Sequence, residues 1–209
     1  MKFLNELMNI IVTEGTQIPK VQVERYISPI LAVFLEDILY QLYKKEYKMI
    51  SPEFPIRKGS IDYKSKRQNQ STNIDYLMYN KTDNKLVFIE LKTDSTSFKS
   101  SQLEIYQKLQ EICENNTTQE TFGELLINDL KKIKKASKFK SKYEYIISQL
   151  DNSFTLINKM EIIYIVPKNI INKVDGKQVL SFYNLPKKLN HFNNEWQIIR
   201  KYLVQLDEN

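Results

Sequence analysis

The sequence predicts an α/β fold in which a mixed central β-sheet is flanked by helices. Three segments carry this prediction. Residues 20–48 place apolar side chains at helical spacing, residues 73–91 hold two strand-like runs around a short polar turn, and residues 160–167 form another apolar run. Apolar residues at every third or fourth position indicate an amphipathic helix, whereas short β-branched and aromatic runs between turn residues indicate strands.

The composition fits a single domain covering residues 1–209. The chain is 42% hydrophobic, which is enough for a sizeable core, and its net charge of +6 favours a polyanionic partner. A single cysteine, Cys113, excludes a disulfide framework and a cysteine-based zinc site. A single histidine, His191, argues against histidine metal clusters and Ser-His-Asp triads.

Residues 1–50 are predicted to form N-terminal helices. A short helix over 3–13 ends before Gly15, and a longer helical region over 20–48 is kinked or restarted at Pro29. The chain contains no apolar run long enough to span a membrane, and its N-terminus lacks the features of a secretory signal. These observations predict a cytoplasmic protein without a membrane partner.

The predicted core covers residues 51–170. It begins with a strand over 51–58, made irregular by two prolines, and a charged loop over 58–71. The two strand-like runs that follow are joined by a turn of the right length for a hairpin. The remaining predicted elements are helices over 100–114 and 119–150, a buried strand over 160–167 and, in residues 171–209, a strand over 178–185 and a helix over 193–206.

The candidate site is Glu90-Leu91-Lys92 at the end of the second hairpin strand. Side chains alternate between the two faces of a strand, so Glu90 and Lys92 point the same way. Asp75 lies near the start of the partner strand, where a hairpin can bring it alongside Glu90. Two carboxylates beside a lysine predict a hard-cation site, because Mg²⁺ takes oxygen ligands, usually one or two carboxylates with waters. A structural ion pair at a strand terminus is the alternative.

Asp75, followed fifteen residues later by Glu90-x-Lys92, resembles the signature of the PD-(D/E)XK nuclease superfamily. The proline of the family name is not present before Asp75. In the next helix, Gln102 and Tyr106 are four residues apart on one helical face, similar to the extra motif of the RecB-like exonuclease branch. The resemblance implies that these two residues position the scissile strand or brace the metal ligands.

The resemblance also implies a restriction-endonuclease-like αβββαβ core and a Mg²⁺-dependent nuclease, with Mn²⁺ expected to substitute. Asp75, Glu90 and the backbone carbonyl of Leu91 would hold the metal ion. Lys92 would orient or activate the attacking water. The reaction implied is hydrolysis of a phosphodiester bond by in-line attack.

A helix-borne glutamate is a further candidate ligand, because such a residue often joins the metal shell in this superfamily. Glu36 and Asp37 lie on opposite flanks of the apolar stripe of the helix before the sheet, with Glu36 beside Tyr40 and Tyr43. Glu36 is therefore predicted to be half-buried against the sheet. An ordinary solvated helix acid is the alternative.

The densest charge feature is a run of seven lysines between residues 131 and 142. Such a run fits contact with a nucleic-acid backbone, and it fits a solvated helix face equally well. The residues predicted to bind nucleic acid are Lys131, Lys132, Lys134, Lys135 and Lys138.

The sequence thus predicts a Mg²⁺-dependent nuclease, with DNA as the favoured substrate and a role in defence, repair or mobile-element processing. A non-catalytic nucleic-acid-binding or interaction module on the same fold is the alternative. The fold and the motif do not determine whether the enzyme is an endonuclease or an exonuclease. They also leave open whether RNA is a substrate and whether the protein forms a homodimer. Titration with a divalent metal ion separates the enzyme from the non-catalytic alternatives.

Overall fold

A computed structural model describes residues 1–19, 22–62, 66, 68–94, 100–115, 120–150, 154–174 and 178–207, without the side chains of residues 100–102. Within these residues the chain is an α/β protein with one five-stranded mixed sheet flanked by helices. The coarse fold class predicted from the sequence is therefore confirmed.

The N-terminal segment is helical, as predicted. Helix α1 covers Lys2–Met8 and continues as a π-helical turn over Asn9–Glu14. Helices α2 and α3 cover Val23–Ala32 and Leu35–Tyr43. The break between them follows Ala32, so the chain does not start a new helix at Pro29, which lies inside α2.

The strands are β1 (Tyr47–Arg57), β2 (Ser71–Asn80), β3 (Lys85–Leu91), β4 (Met160–Val166) and β5 (Gln178–Ser181). These five strands are hydrogen-bonded in the order β1-β2-β3-β4-β5. Strand β5 runs parallel to β4, with Ile163 opposite Gln178 and Val166 opposite Ser181.

Two strand boundaries differ from the sequence prediction. Helix α3 ends at Tyr43, and the next residue, Lys44, adopts a left-handed conformation with φ 55°. This conformation stops a helix, so the chain is already extended at Tyr47, where the sequence predicted helix. Strand β5 ends at Ser181, four residues before the predicted end at 185, because the chain turns over residues 182–184.

Strand β3 is central to the core. Its residues Leu86, Val87, Phe88 and Ile89 are all fully buried, which is typical of a strand covered on both faces. The turn before it is held by Asn80, whose side chain accepts the backbone N–H of Asp83. This local hydrogen bond favours a tight turn between β2 and β3.

The helices predicted over residues 100–114, 119–150 and 193–206 lie close to their predicted positions, whereas residues 58–61, predicted as part of a loop, form a short helix. Helix α6 (Phe122–Ala136) starts with a capping box, in which the Thr121 side chain accepts the Glu124 N–H and the Glu124 carboxylate accepts the Thr121 N–H. None of the helices in the described residues is long and apolar enough to cross a membrane. The helices are α4 (Lys58–Ile61), α5 (Ser100–Glu114), α6 (Phe122–Ala136), α7 (Lys140–Ser148) and α8 (Asn193–Gln205).

The chain forms two compact units. Unit 1 comprises Met1–Tyr47, Ile89–Lys99 and Ile162–Asn209, and unit 2 comprises Lys48–Phe88 and Ser100–Glu161. Both units are assembled from segments that are distant in the sequence, so composition along the chain gives no boundary between them. The prediction of a single domain stays a prediction.

Each unit has an aromatic centre of its own. In unit 1, Trp196 is fully buried, its ring centroid lies 5.3 Å from that of Phe34, and its Nε1 donates to the carbonyl oxygen of Pro186 at 2.8 Å. In unit 2, Phe88 and Phe122 are fully buried with ring centroids 6.3 Å apart in an edge-to-face arrangement. Such pairs stabilise a core beyond the apolar area that they bury.

Candidate functional site

Glu90 and Lys92 lie at the C-terminal end of β3 and are both buried, with side chains 3% and 4% exposed. The Lys92 ammonium lies 2.6 Å from Glu90 Oε1 and donates to the carbonyl oxygen of Leu91 at 2.8 Å. The backbone N–H of Lys92 donates to the carbonyl oxygen of Ile165 on β4 at 2.9 Å. This hydrogen bond holds the backbone in place just after the end of β3. The predicted placement of Glu90 and Lys92 side by side is confirmed.

A second carboxylate reaches the same ammonium group. Glu24 lies in the first turn of α2, and its Oε2 is 3.5 Å from Lys92 Nζ. This oxygen is buried and accepts no hydrogen bond from the described residues. Burial raises the pKa of Glu24 above its usual value; the Lys92 ammonium opposes this shift and the charge of Glu90 adds to it. The Glu24 carboxyl group is therefore easier to protonate than an exposed one.

Sequence analysis missed Glu24, although a signal for it exists. Glu24, Ile27 and Leu31 follow one another at helical spacing, and both apolar residues are fully buried. An acid in line with a buried stripe lies at the edge of the core. The sequence prediction considered only Glu36 and Asp37 as helix-borne acids, so the first turn of α2 was not included.

The prediction that Glu36 is half-buried is wrong, because Glu36 is exposed. Its neighbour Asp37 is the more buried acid, with a side chain 11% exposed. Asp37 Oδ2 accepts the backbone N–H groups of Asn190 at 2.6 Å and His191 at 2.8 Å. The projection considered one helix alone, whereas Asp37 is covered by residues 190–191, which lie far away in the sequence.

The other motif residues belong to unit 2. Asp75 is half-buried in β2, and its predicted place beside Glu90 stays a prediction. Tyr106 on α5 is 2% exposed and is part of the packed interior. The backbone of Gln102 lies in α5, and its side chain is outside the described part of the chain.

Tyr164 on β4 is a buried residue to which the sequence assigned no role. Burial raises the pKa of its phenol, and the negative charge of Glu90 raises it further. The Tyr164 hydroxyl group therefore keeps its proton at neutral pH.

The donor set around Lys92 consists of the Glu24 and Glu90 carboxylates and the Leu91 carbonyl oxygen. Among the residues that the structure describes, no group of three acidic, histidine or cysteine side chains is placed to hold a metal ion. Two carboxylates with waters still match the usual ligands of Mg²⁺. Two negative charges against one positive charge leave the cluster with a negative excess, so this donor set fits an added cation.

The lysines predicted to bind nucleic acid differ in their contacts. Lys134 Nζ lies 2.6 Å from Glu144 Oε1, and Lys132 Nζ lies 3.7 Å from Asp129 Oδ1. Lys131, Lys135 and Lys138 are exposed. The structure thus divides a run that looks uniform in the sequence into lysines with acidic neighbours and lysines that face solvent.

No family model matches this sequence, and no curated protein or solved structure matches it. The resemblance to the PD-(D/E)XK superfamily therefore rests on the motif residues alone and stays a prediction.

Proposed function

We propose that the protein is a Mg²⁺-dependent nuclease of the PD-(D/E)XK type that hydrolyses phosphodiester bonds, with DNA as the favoured substrate. The observation that supports this most is the convergence of two carboxylates and the Leu91 carbonyl on the buried Lys92 ammonium. Charged groups are costly to bury unless they are paired, and perturbed ionisable clusters of this kind concentrate at functional sites.

Glu24, Glu90 and the Leu91 carbonyl would hold the metal ion, and Asp75 is proposed as the ligand from β2. Glu24 replaces Glu36 as the helix-borne acid of the proposal, because Glu24 contacts Lys92 and Glu36 is exposed. When bound, Mg²⁺ supplies positive charge against the charge that develops on the phosphate and lowers the pKa of water.

Lys92 would stabilise negative charge on the attacking and phosphate oxygens. Its ammonium is a compact point charge, held in one place by Glu90 Oε1 at 2.6 Å and the Leu91 carbonyl at 2.8 Å. A preorganised charge in a buried site costs little reorganisation during the reaction. Because Tyr106 is buried, we propose that it braces neighbouring groups and does not itself contact the scissile strand.

The test is a cleavage panel on circular duplex DNA, linear duplex DNA, single-stranded DNA and RNA, with Mg²⁺, Mn²⁺ or a chelator. The wild-type protein is expected to cleave with either ion and to be inactive with the chelator. Glu90→Gln preserves shape but removes the charge that holds a hard cation, so cleavage should collapse while the fold survives. Asp129→Asn alters another buried carboxylate and serves as the control with retained cleavage.

A second variant addresses Lys92. Lys92→Ala should lower single-turnover cleavage about a hundredfold or more at saturating Mn²⁺, the size typical of removing one such electrostatic interaction. Substrate binding, measured with Ca²⁺, should persist. If Glu90→Gln or Lys92→Ala cleaved DNA at the wild-type rate, the substituted residue would not belong to the catalytic site. Absence of cleavage of every substrate, together with no stabilisation by Mn²⁺, would instead favour a structural ion pair.

A further inference from the structure

Helix α7 presents aromatic rings to solvent. The helix has no buried residue. Tyr145 within it is 68% exposed, and Phe139, which immediately precedes it, is 59% exposed. A single exposed apolar residue needs no explanation, but two large rings lie here within a seven-residue stretch of chain.

The rings lie in the most basic part of the chain, since residues 131–142 contain seven lysines and no acid. Lys135, Lys138 and Lys140 are exposed, and their side chains form no ion pair or hydrogen bond with any described residue. Lys134, by contrast, is paired with Glu144. The three exposed lysines thus carry positive charge that nothing in the described part of the protein neutralises.

The geometry combines ring and charge on one row of the helix. Phe139, Lys142 and Tyr145 follow one another at three-residue spacing, which forms a ridge along a helix surface. Lys142 Nζ lies 5.0 Å from the centroid of the Phe139 ring. With a rise of 1.5 Å per residue, the two rings are separated by about 9 Å along the axis. An ammonium group thus lies over the Phe139 ring, and this ridge combines aromatic rings with positive charge.

We propose that this surface, which we call the α7 ridge, binds single-stranded nucleic acid. Unpaired bases stack on Phe139 and Tyr145, and phosphates contact the lysines. Aromatic platforms in a basic groove are how proteins hold single strands, because every unstacked base offers a flat face. The α7 ridge is defined by Lys135, Lys138, Phe139, Lys140, Lys142 and Tyr145.

Two other polyanions fit this surface less well. In a duplex the base faces are stacked on one another, so the exposed rings would gain no partner. A membrane-surface helix needs an apolar face that enters the lipid, yet Ile146 and Ile147 are half-buried and leave no exposed aliphatic face on α7. As the strand-binding surface of a nuclease, the α7 ridge rests on the proposed function, but strand binding itself does not require an active metal site.

The test is fluorescence anisotropy with a labelled single-stranded DNA oligonucleotide and a duplex of the same length, in chelator so that cleavage cannot occur. The wild-type protein should bind the single strand more tightly. The double variant Phe139→Ala/Tyr145→Ala should weaken this binding about tenfold or more for each ring. Tyr183→Ala, which removes a ring 62% exposed in unit 1, is the matched control with unchanged binding.

Salt dependence tests the lysines separately. The triple variant Lys135→Gln/Lys138→Gln/Lys140→Gln should reduce the slope of log K against log salt by about 0.7 for each phosphate that the protein no longer neutralises, whereas Lys134→Gln should not. Wild-type affinity in the double aromatic variant, or equal affinity for duplex, overturns the proposal. Binding to phosphatidylserine–phosphatidylcholine vesicles without binding to the oligonucleotide overturns it as well. Binding is measured in chelator and does not require the metal site, so failure of the nuclease proposal and failure of this one give different results.

Discussion

The protein has two buried clusters built around carboxylates, and they differ in their balance of charge. In the β3 cluster, the Glu24 and Glu90 carboxylates share the Lys92 ammonium. In the Asp129 cluster of unit 2, one carboxylate lies 3.5 Å from Arg57 Nη1 and 3.7 Å from Lys132 Nζ. Ser60 also donates a hydrogen bond to Asp129. The first cluster has an excess of negative charge, and the second has an excess of positive charge.

This difference indicates which cluster suits a cation. Burial raises the pKa of both Glu24 and Asp129. For Asp129, the Ser60 hydroxyl and two cations oppose the shift, whereas for Glu24 the charge of Glu90 adds to it. A divalent ion would relieve the repulsion between Glu24 and Glu90. At Asp129 it would meet positive charge that is already in place, which favours a structural role for that cluster.

The largest expected effect comes from removing the central cation of each cluster. Lys92→Ala leaves two buried carboxylates without their cation, so the free energy of unfolding should fall by about 3–5 kcal/mol. Arg57→Ala leaves Asp129 with Ser60 and Lys132, so the loss should be smaller, about 1–2 kcal/mol. Mn²⁺ should restore stability to Lys92→Ala, because an ion that binds only the native state stabilises it by mass action.

The measurement is thermal and denaturant unfolding of both variants, with and without Mn²⁺. Arg57→Ala should gain no more from the ion than Asp129→Asn does. Equal stabilisation of the Lys92 and Arg57 variants by Mn²⁺ would contradict the distinction between the clusters.

A second effect concerns pH. The pKa of Glu24 is raised above its ordinary value of 4.5, so the native state holds this proton more tightly than the unfolded state does. Its contribution to the free energy of unfolding therefore falls as pH rises from 4.5 towards the native pKa. Glu24→Gln removes this dependence, so the variant should gain stability relative to wild type as the pH is raised through that window.

Asp129→Asn should behave in the same direction, because the pKa of Asp129 is also raised, from an ordinary value of 3.8. Addition of Mn²⁺ is expected to distinguish Glu24→Gln from Asp129→Asn. With saturating Mn²⁺ the advantage of Glu24→Gln should disappear or reverse, since the metal ion requires the ionised carboxylate. The advantage of Asp129→Asn should be unaffected by Mn²⁺. Denaturant unfolding across a pH series measures the difference in stability between each variant and wild type, both with and without Mn²⁺.

The smallest effect is expected at a third carboxylate, Asp37, which is held by backbone N–H groups and not mainly by a cation. Asp37→Ala removes the acceptor of the Asn190 and His191 N–H groups, so stability should fall by about 1–2 kcal/mol while cleavage is unchanged. Glu36→Ala should leave stability within about 0.5 kcal/mol of wild type. Parallel unfolding and cleavage assays measure both. Reduced activity in Glu36→Ala would restore Glu36 as the helix-borne ligand.

Local pattern was sufficient for much of the fold. Four apolar residues in succession placed β3 in the core, and strand alternation put Glu90 and Lys92 side by side, as the distance of 2.6 Å between them shows. These properties depend on residues within a few positions of each other. The early start of β1 was missed because the left-handed Lys44 that ends α3 is not a residue type typical of that conformation.

By itself, the sequence determined the α/β class, most of the elements and the strand end that carries Glu90-Leu91-Lys92. Only the tertiary structure decided that Glu24, and not Glu36, reaches Lys92, and that Lys134 is paired with Glu144. The physical reason is distance along the chain. Periodicity records which residues share a face of one element, whereas the partner that a face meets depends on helix breaks and packing between segments far apart in the sequence.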